Sequence, residues 1–455
     1  MDGNLTKGPI LKTLTKLALP IMASSFLGTL YNITDMAWIG LLGSKAVAGV
    51  GVGGMFTWLS QGLASMARMG GQVKVAQSLG RGEKEKAHGF AQTAVQLSTF
   101  MGLAYAILCL IFVRQMVGFF KLNDPEAVSA ALSYTKIACG LIVFSFLTVT
   151  LTGIYTAQGD SKTPFLANLV GLVTNMILDP VLILGPGPFP KLGVTGVALG
   201  TVIARITEVV ICLIYSLKSS DVRFRIKYFF AKSGILFQDF MKIATPAVIN
   251  DVVWSFASSA FAAILGHIGN DMVAANAVAV MVVNIGAIAC RGFANATTII
   301  VSQELGQNHI DTAREYGKRM LRITTIVSMV GCVIILAIRP LILDFYRDKL
   351  TETAIYYLGI FIIMTTWRLL GEGINTCLIC GCFRGGGDSR FGMIIDSVFM
   401  WLVAVPLTFL AAYVLKLPPI WVYFIMTLDE FEKMPAVFIH YFRGKWLTNI
   451  TRDFE

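Results

Sequence analysis

The chain has 455 residues, of which 55% are hydrophobic and only 14% charged, with a formal net charge of +10. Its mean hydropathy is +0.70. So few charges exclude a water-soluble surface and intrinsic disorder, and apolar runs of about 20 residues point to an all-α polytopic membrane protein. A transmembrane barrel would show ten-residue alternation instead. The positive charge belongs to loops on the cytoplasmic side rather than to nucleic-acid binding, since no basic stripe carries interleaved aromatics.

In chain order, hydrophobic runs bounded by Gly, Pro or charge predict twelve spans: 14–41, 48–72, 90–115, 131–156, 164–185, 193–217, 240–266, 272–301, 319–342, 354–383, 390–413 and 418–442. The polar start MDGNLTKGPILKTLTK is not a cleavable signal, because the apolar run after it is long enough to span. The basic tract KSSDVRFRIKYFFAKSG sits at the midpoint and reads as a surface link. Three parts are expected: a six-helix bundle over 1–217, a cytoplasmic linker over 218–239 and a second bundle over 240–455. With the N-terminus inside, the inner loops carry roughly three times the Lys and Arg of the outer ones. Both termini are expected in the cytoplasm of a bacterial cell, with the chain in its plasma membrane.

The chain overlays itself at a shift of 226 residues for about seventy positions. Pro20 meets Pro246, Gly40 and Gly43 meet Gly266 and Gly269, and Gln77, Leu79 and Gly80 meet Gln303, Leu305 and Gly306. The triplet Gly159, Asp160, Ser161 recurs at Gly387, Asp388, Ser389, a shift of 228, so two residues have been added between. Gly, Pro and loop pairs mark kinks and ends and so weigh more than matched apolar residues. Six spans per half is an even number, which gives a parallel repeat. Two such halves facing one cavity make a transporter architecture.

Charges inside a span are costly and mark function by default. Asp35 lies in the first span and Asp179 in the fifth, each about 9 Å from the outer boundary at 1.5 Å per residue. Asn175 stands one turn before Asp179, and Thr201 in the sixth span falls at similar depth. These four are expected to converge on one polar site. Their repeat counterparts do not keep the charge: Phe261 matches Asp35 and Leu407 matches Asp179. Paired carboxylates with an amide and a hydroxyl suit either proton exchange or a hard cation such as Na⁺. In the second half, Asp251 and Glu372 form a possible second cation or substrate site, although Arg368 stands one turn before Glu372 and offers an ion pair instead. Arg205 and Glu208 are placed to compensate one another. Tyr31, Trp254 and Phe261 are candidate walls of a substrate cavity, since aromatic faces beside carboxylates favour organic cations.

Cys377, Cys380 and Cys382 lack a His partner and read as small apolar residues. There is no GxxxxGK[ST] loop, no HExxH and no GxSxG, so neither direct ATP use nor enzymatic catalysis is expected. No cofactor is called for beyond H⁺ or Na⁺ as coupling ion.

Over its full length the chain resembles the multidrug and toxic compound extrusion (MATE) transporters. The resemblance rests on LALP followed by Asp35 in TDMAWIG, on VAQSLGRGE and AQGDSKTP, on TNMILDPVLILG with FPKLGVTGVALGT, and on SQELGQ and RGGGDSR. It is nearest the DinF-like branch, where a first-helix Asp, an Asn and Asp on the fifth and a Thr on the sixth form the proton or sodium site. Those positions match Asp35, Asn175, Asp179 and Thr201. In the NorM-like branch the site uses acids of the seventh and tenth helices, where Asp251 and Glu372 lie. The resemblance implies antiport by a monomer: cations enter while small, amphipathic, often cationic compounds leave through the membrane. Two other readings stay open. A lipid-linked precursor or polysaccharide flippase of the same architecture would line its cavity with Arg for pyrophosphate. A membrane-embedded enzyme or receptor would need a catalytic constellation or a sensing domain.

Overall fold

The computed structural model describes residues 10–120, 124–185, 190–219, 234–348 and 350–449. Most of the expected linker, residues 220–233, and both chain termini lie outside the described residues.

The described chain is helical, with no strand. Its helices are α1 (Ile10–Gly40), α2 (Ser44–Gly80), α3 (Lys84–Phe119), α4 (Pro125–Gly140), α5 (Val143–Ala157), α6 (Lys162–Leu184) and α7 (Val194–Ser219), followed by α8 (Gly234–Ile268), α9 (Asn270–Gly306), α10 (Ile310–Tyr346), α11 (Glu352–Asn375), α12 (Ser389–Val398), α13 (Val405–Phe409), α14 (Pro419–Met426), α15 (Asp429–Glu432) and α16 (Met434–Arg443). Nine of these stretches are by themselves long and apolar enough to cross a membrane, among the described residues. The pair α4–α5 is long and apolar enough only when taken together, and is bent by 45° at its break. Several helices outrun the apolar runs that predict them: α10 extends over Ile310–Tyr346 where 319–342 was expected. A helix satisfies its own backbone whether or not its ends are apolar, so hydropathy marks the membrane crossing and not the helix.

Two compact units divide the chain, with Leu19–Ala244 in the first and the residues from Thr245 onward in the second. The residues of α1 up to Ala18 group with the second unit, while α8 up to Ala244 groups with the first. Ala18 and Ala244 are 226 positions apart, so the division falls at the same point of each copy.

In the first unit, α2 packs against α3, α4 and α5, and α6 lies along α7. Glycine allows close approach between helices: Gly49 of α2 sits against the backbone of Ala127 and Ala131 in α4. The α1 side chains Tyr31 and Leu27 pack on Leu172 of α6 and Ala204 of α7. In the second unit, α9 packs against α10 and α11, and Phe261 and Leu265 of α8 enter an apolar core with Ala275, Phe361 and Tyr423.

The repeat shows itself in matching ties. Asp160 caps α6 by accepting from the backbone N–H of Lys162 at 3.0 Å and of Thr163 at 3.2 Å. Asp388 accepts in the same way from Phe391 at 3.4 Å, which explains why Gly-Asp-Ser occurs twice. At the start of α2, Lys45 pairs with Asp124 at 3.0 Å and Glu126 at 2.8 Å. Its counterpart in the second copy, Asp271, accepts instead from the Thr351 hydroxyl at 2.6 Å.

The copies differ after α11. Residues Thr376–Phe383 continue it as a π-helix, and Phe399–Ala404 and Leu410–Val414 are π-helical too. Each widened turn takes up extra chain without breaking the helix. The first of these stretches lies in the interval where the repeat shift grows from 226 to 228.

Candidate functional site

The first unit gathers polar side chains from three helices at one place. Asn175 and Asp179 are fully buried on one face of α6, and the Asn175 amide Nδ2 donates to Asp179 Oδ1 at 3.0 Å. Asp35 of α1 comes up beside both of them. Tyr31, one turn earlier on α1, brings its phenol beside the Thr201 hydroxyl of α7 without closing a hydrogen bond. Asp35, Asn175 and Asp179 therefore stand together, and Thr201 stands beside Tyr31, one turn from Asp35 on α1.

Glycine makes the room. Gly200 of α7 faces Asp179 Oδ1 and Asn175 Nδ2, and a Cβ at that position would overlap the carboxylate. Two turns along, Gly171 of α6 packs directly on the Glu208 carboxylate of α7. The small residue on one helix thus faces the polar residue on the other, twice.

Five buried oxygens in this pocket have no hydrogen-bond partner: the Tyr31 phenol, Asp35 Oδ1, Asn175 Oδ1, Asp179 Oδ2 and Thr201 Oγ1. Buried polar atoms are normally paired, so a group of orphans marks a candidate binding site. Oxygen-only ligands including two carboxylates suit a proton or a hard monovalent cation. No cluster of three His, Cys, Asp or Glu able to hold a metal occurs among the described residues.

Beyond the pocket, Arg205 Nη1 donates to both oxygens of Glu208, at 3.0 and 2.8 Å. Its guanidinium carbon stands 5.0 Å from the centre of the Tyr31 ring. The expected compensation between Arg205 and Glu208 is met.

The second unit holds a larger ion network. Arg368 of α11 makes a two-pronged contact with Asp429, Nε to Oδ1 and Nη2 to Oδ2 at 2.8 Å each. The expected Arg368–Glu372 contact is also present at 3.2 Å. Lys433 pairs with Asp396 at 2.8 Å and Glu430 at 3.1 Å. Asn375 Nδ2 donates to Glu430 Oε2 at 2.9 Å, and Asn250 Nδ2 donates to Asp396 Oδ2 at 2.6 Å. Sequence reasoning missed Asp396, Asp429, Glu430 and Lys433. The signal was LDEFEK in the middle of the 418–442 run, where the structure breaks the helix into α14, α15 and α16.

Glu372 and Asp251 share no hydrogen-bond partner. Glu372 joins the Arg368 network, whereas Asp251 pairs with Arg384 at 3.3 Å. Among the aromatic candidates, Tyr31 belongs to the first-unit pocket. Phe261 is buried in the apolar core of the second unit, and Trp254 is half-buried on α8.

Long apolar helices with ionisable side chains held inside them define a polytopic membrane transporter. The MatE family model matches the chain twice, over residues 20–181 and 246–410, and those matches start at the offset that separates Pro20 from Pro246. The chain belongs to this family, whose members are transporters and not enzymes. A relative described as "Probable multidrug resistance protein NorM" from Thermotoga maritima is 26% identical, covering 96% of this chain and 93% of its own length. "Multidrug export protein MepA" from Staphylococcus aureus is 23% identical over 89% of this chain and 88% of its own. Among solved structures, a transporter of the MOP superfamily from Pyrococcus furiosus superposes with a TM-score of 0.86 at 20% identity, covering 98% of each chain. An outward-facing MATE family transporter gives 0.85 at 20% identity, again over 98% of each chain. These likenesses establish the twelve-span fold.

Proposed function

We propose that the protein is a secondary antiporter that exports amphipathic or cationic organic compounds in exchange for H⁺ or Na⁺, working as a monomer with both termini in the cytoplasm. The observation that carries this reading is the pocket of five orphaned oxygens around Asp35 and Asp179. An unpaired buried carboxylate is stable only when protonated or cation-bound. Its occupancy therefore differs between the access states of a transporter, and that difference is what couples the ion to the cargo.

The residues divide the work. Asp35 and Asp179 take the charge. Asn175 holds Asp179 in place through its amide, while its own carbonyl oxygen remains available. Thr201 and Tyr31 complete the oxygen shell from α7 and α1. The words "multidrug resistance" and "multidrug export" in the descriptions of the Thermotoga and Staphylococcus relatives support drugs as the cargo. The charge of the pocket agrees with a cationic one.

The test is efflux of ethidium from proteoliposomes under proton and sodium gradients imposed separately. Efflux under one gradient, abolished in Asp35→Asn, is the expected result. Efflux that needs neither gradient, or that survives Asp35→Asn, overturns the reading.

A further inference from the structure

Arg205 is an ionised side chain on a span whose neighbours are Tyr31 and Glu208, and the antiport reading gives it no task. Its geometry is unusually fixed. The guanidinium is tied through Nη1 to both Glu208 oxygens at 3.0 and 2.8 Å, and the Glu208 side chain is 2% exposed. Gly171 closes over that carboxylate from α6. Swinging Arg205 away would strand a buried carboxylate, which costs far more than one exposed ion pair returns. The Tyr31 ring completes the cradle, with the guanidinium carbon 5.0 Å above its centre.

This locked cation borders the pocket, one helical turn beyond Thr201 on α7 and directly over the Tyr31 ring of α1. Thr201 precedes Arg205 by four residues on α7, and Tyr31 precedes Asp35 by four on α1. Asp35 lies within the field of Arg205. A guanidinium does not give up its proton, so this charge stays constant through the cycle. Glu208 offsets it from the far side, and the pair faces the pocket with its positive end.

We infer that Arg205 is a positioning residue whose fixed charge holds down the affinity of the Asp35–Asp179 pocket for a monovalent metal cation. The inference rests on the cation-site reading above. Five orphaned oxygens around two carboxylates would otherwise grip such an ion and slow its release. A coupling site must let go of its ion as readily as it takes it up. One screened unit charge a turn away changes cation affinity about tenfold.

The test is Na⁺ binding by titration calorimetry on the full-length protein in detergent, at one fixed pH. Arg205→Met is expected to bind Na⁺ about tenfold more tightly than the parent, and Arg205→Lys to match the parent. Glu208→Gln, which leaves the guanidinium uncompensated, is expected to bind more weakly. A merely structural role would weaken binding in both Arg205→Met and Glu208→Gln, so opposite signs are the signature. Where Arg205→Met does not fold, the paired variant Arg205→Gln/Glu208→Gln removes both charges and is expected to bind more tightly than the parent. Unchanged or weaker binding in the Arg205 variants, or no Na⁺ binding by any of these proteins, overturns the inference. Proton-driven ethidium efflux by the parent protein decides the antiport reading separately, and its loss in Asp35→Asn is independent of Na⁺ affinity.

Discussion

Asn175 spends one amide hydrogen on Asp179 Oδ1 at 3.0 Å, and this single bond leaves Asn175 Oδ1 and Asp179 Oδ2 both buried and unpaired. The hydrogen bond aligns the two side chains and at the same time leaves two acceptors for a third party. Asp179→Asn keeps the shape and removes the charge. Gradient-driven ethidium efflux is expected to fall at least tenfold, to roughly the level of empty liposomes, while thermal unfolding moves little. Efflux within twofold of the parent would remove Asp179 from the coupling site.

Gly200 tests the same pocket from the opposite helix. A methyl group there overlaps Asp179 Oδ1, so Gly200→Ala is expected to push the carboxylate off Asn175. Overpacking of this kind costs about 1–3 kcal/mol. Transport is expected to fall more than stability does, because the antiport reading depends on where this carboxylate is held. A crystal structure of the variant with the Asn175–Asp179 contact intact would contradict this.

Arg368 anchors the second-unit network through its paired contact with Asp429. Arg368→Met strands Asp429, which is 1% exposed, while Glu430 keeps Lys433 and Asn375. Breaking a buried pair from one side costs about 3–5 kcal/mol, so the melting temperature is expected to drop by several degrees. Adding Asp429→Asn should recover part of that loss. No recovery in the double variant would mean that the two side chains are not coupled.

The tie between α2 and α4 is exposed and responds to solution conditions. Lys45 holds the Asp124 carboxyl below the usual carboxylate range, and Glu126 and Asp124 hold the Lys45 ammonium above the usual lysine range. A depressed carboxylate contributes above its unfolded pKa and loses that contribution as pH falls through its folded value. A raised lysine contributes below its unfolded pKa and loses it only at strongly alkaline pH. The tie is therefore constant around neutrality and fails in acid. The protection of amides in the first turn of α4, measured relative to the unfolded exchange rate at each pH, is expected to fall in acid and in high salt. Lys45→Met should abolish the salt response and weaken the acid one, which keeps a part because Asp124 also accepts from the Glu126 backbone N–H at 2.8 Å.

Much of the fold was legible because a membrane writes itself into composition. Charges are confined to loops, and the few that are not become conspicuous: Asp35 and Asp179 were read from that contrast, and Asn175 from its place one turn before Asp179. The repeat added depth, since Phe261 at the position of Asp35 marked the acid as specialised, and Phe261 indeed lies in an apolar core. Asp429, Glu430 and Lys433 escaped because they sit in a run whose average is apolar. Their burial depends on Arg368, Asn375 and Asp396 arriving from α11 and α12, and no local pattern announces such long-range partners. The same holds for Asp251, whose partner Arg384 lies 133 positions away. The π-helical turns were invisible for another reason: a helix with one residue too many has the same residue preferences as one without.

Those turns carry a consequence for how this chain tolerates change. Deleting a residue from an ordinary transmembrane helix rotates everything beyond it by about 100° and turns its buried face towards lipid. Within Thr376–Phe383 the chain holds slack, and a deletion there can be absorbed by closing the widened turn, with both flanking faces kept in place. In a scan of single-residue deletions, this stretch of the second half is where the protein should forgive the loss.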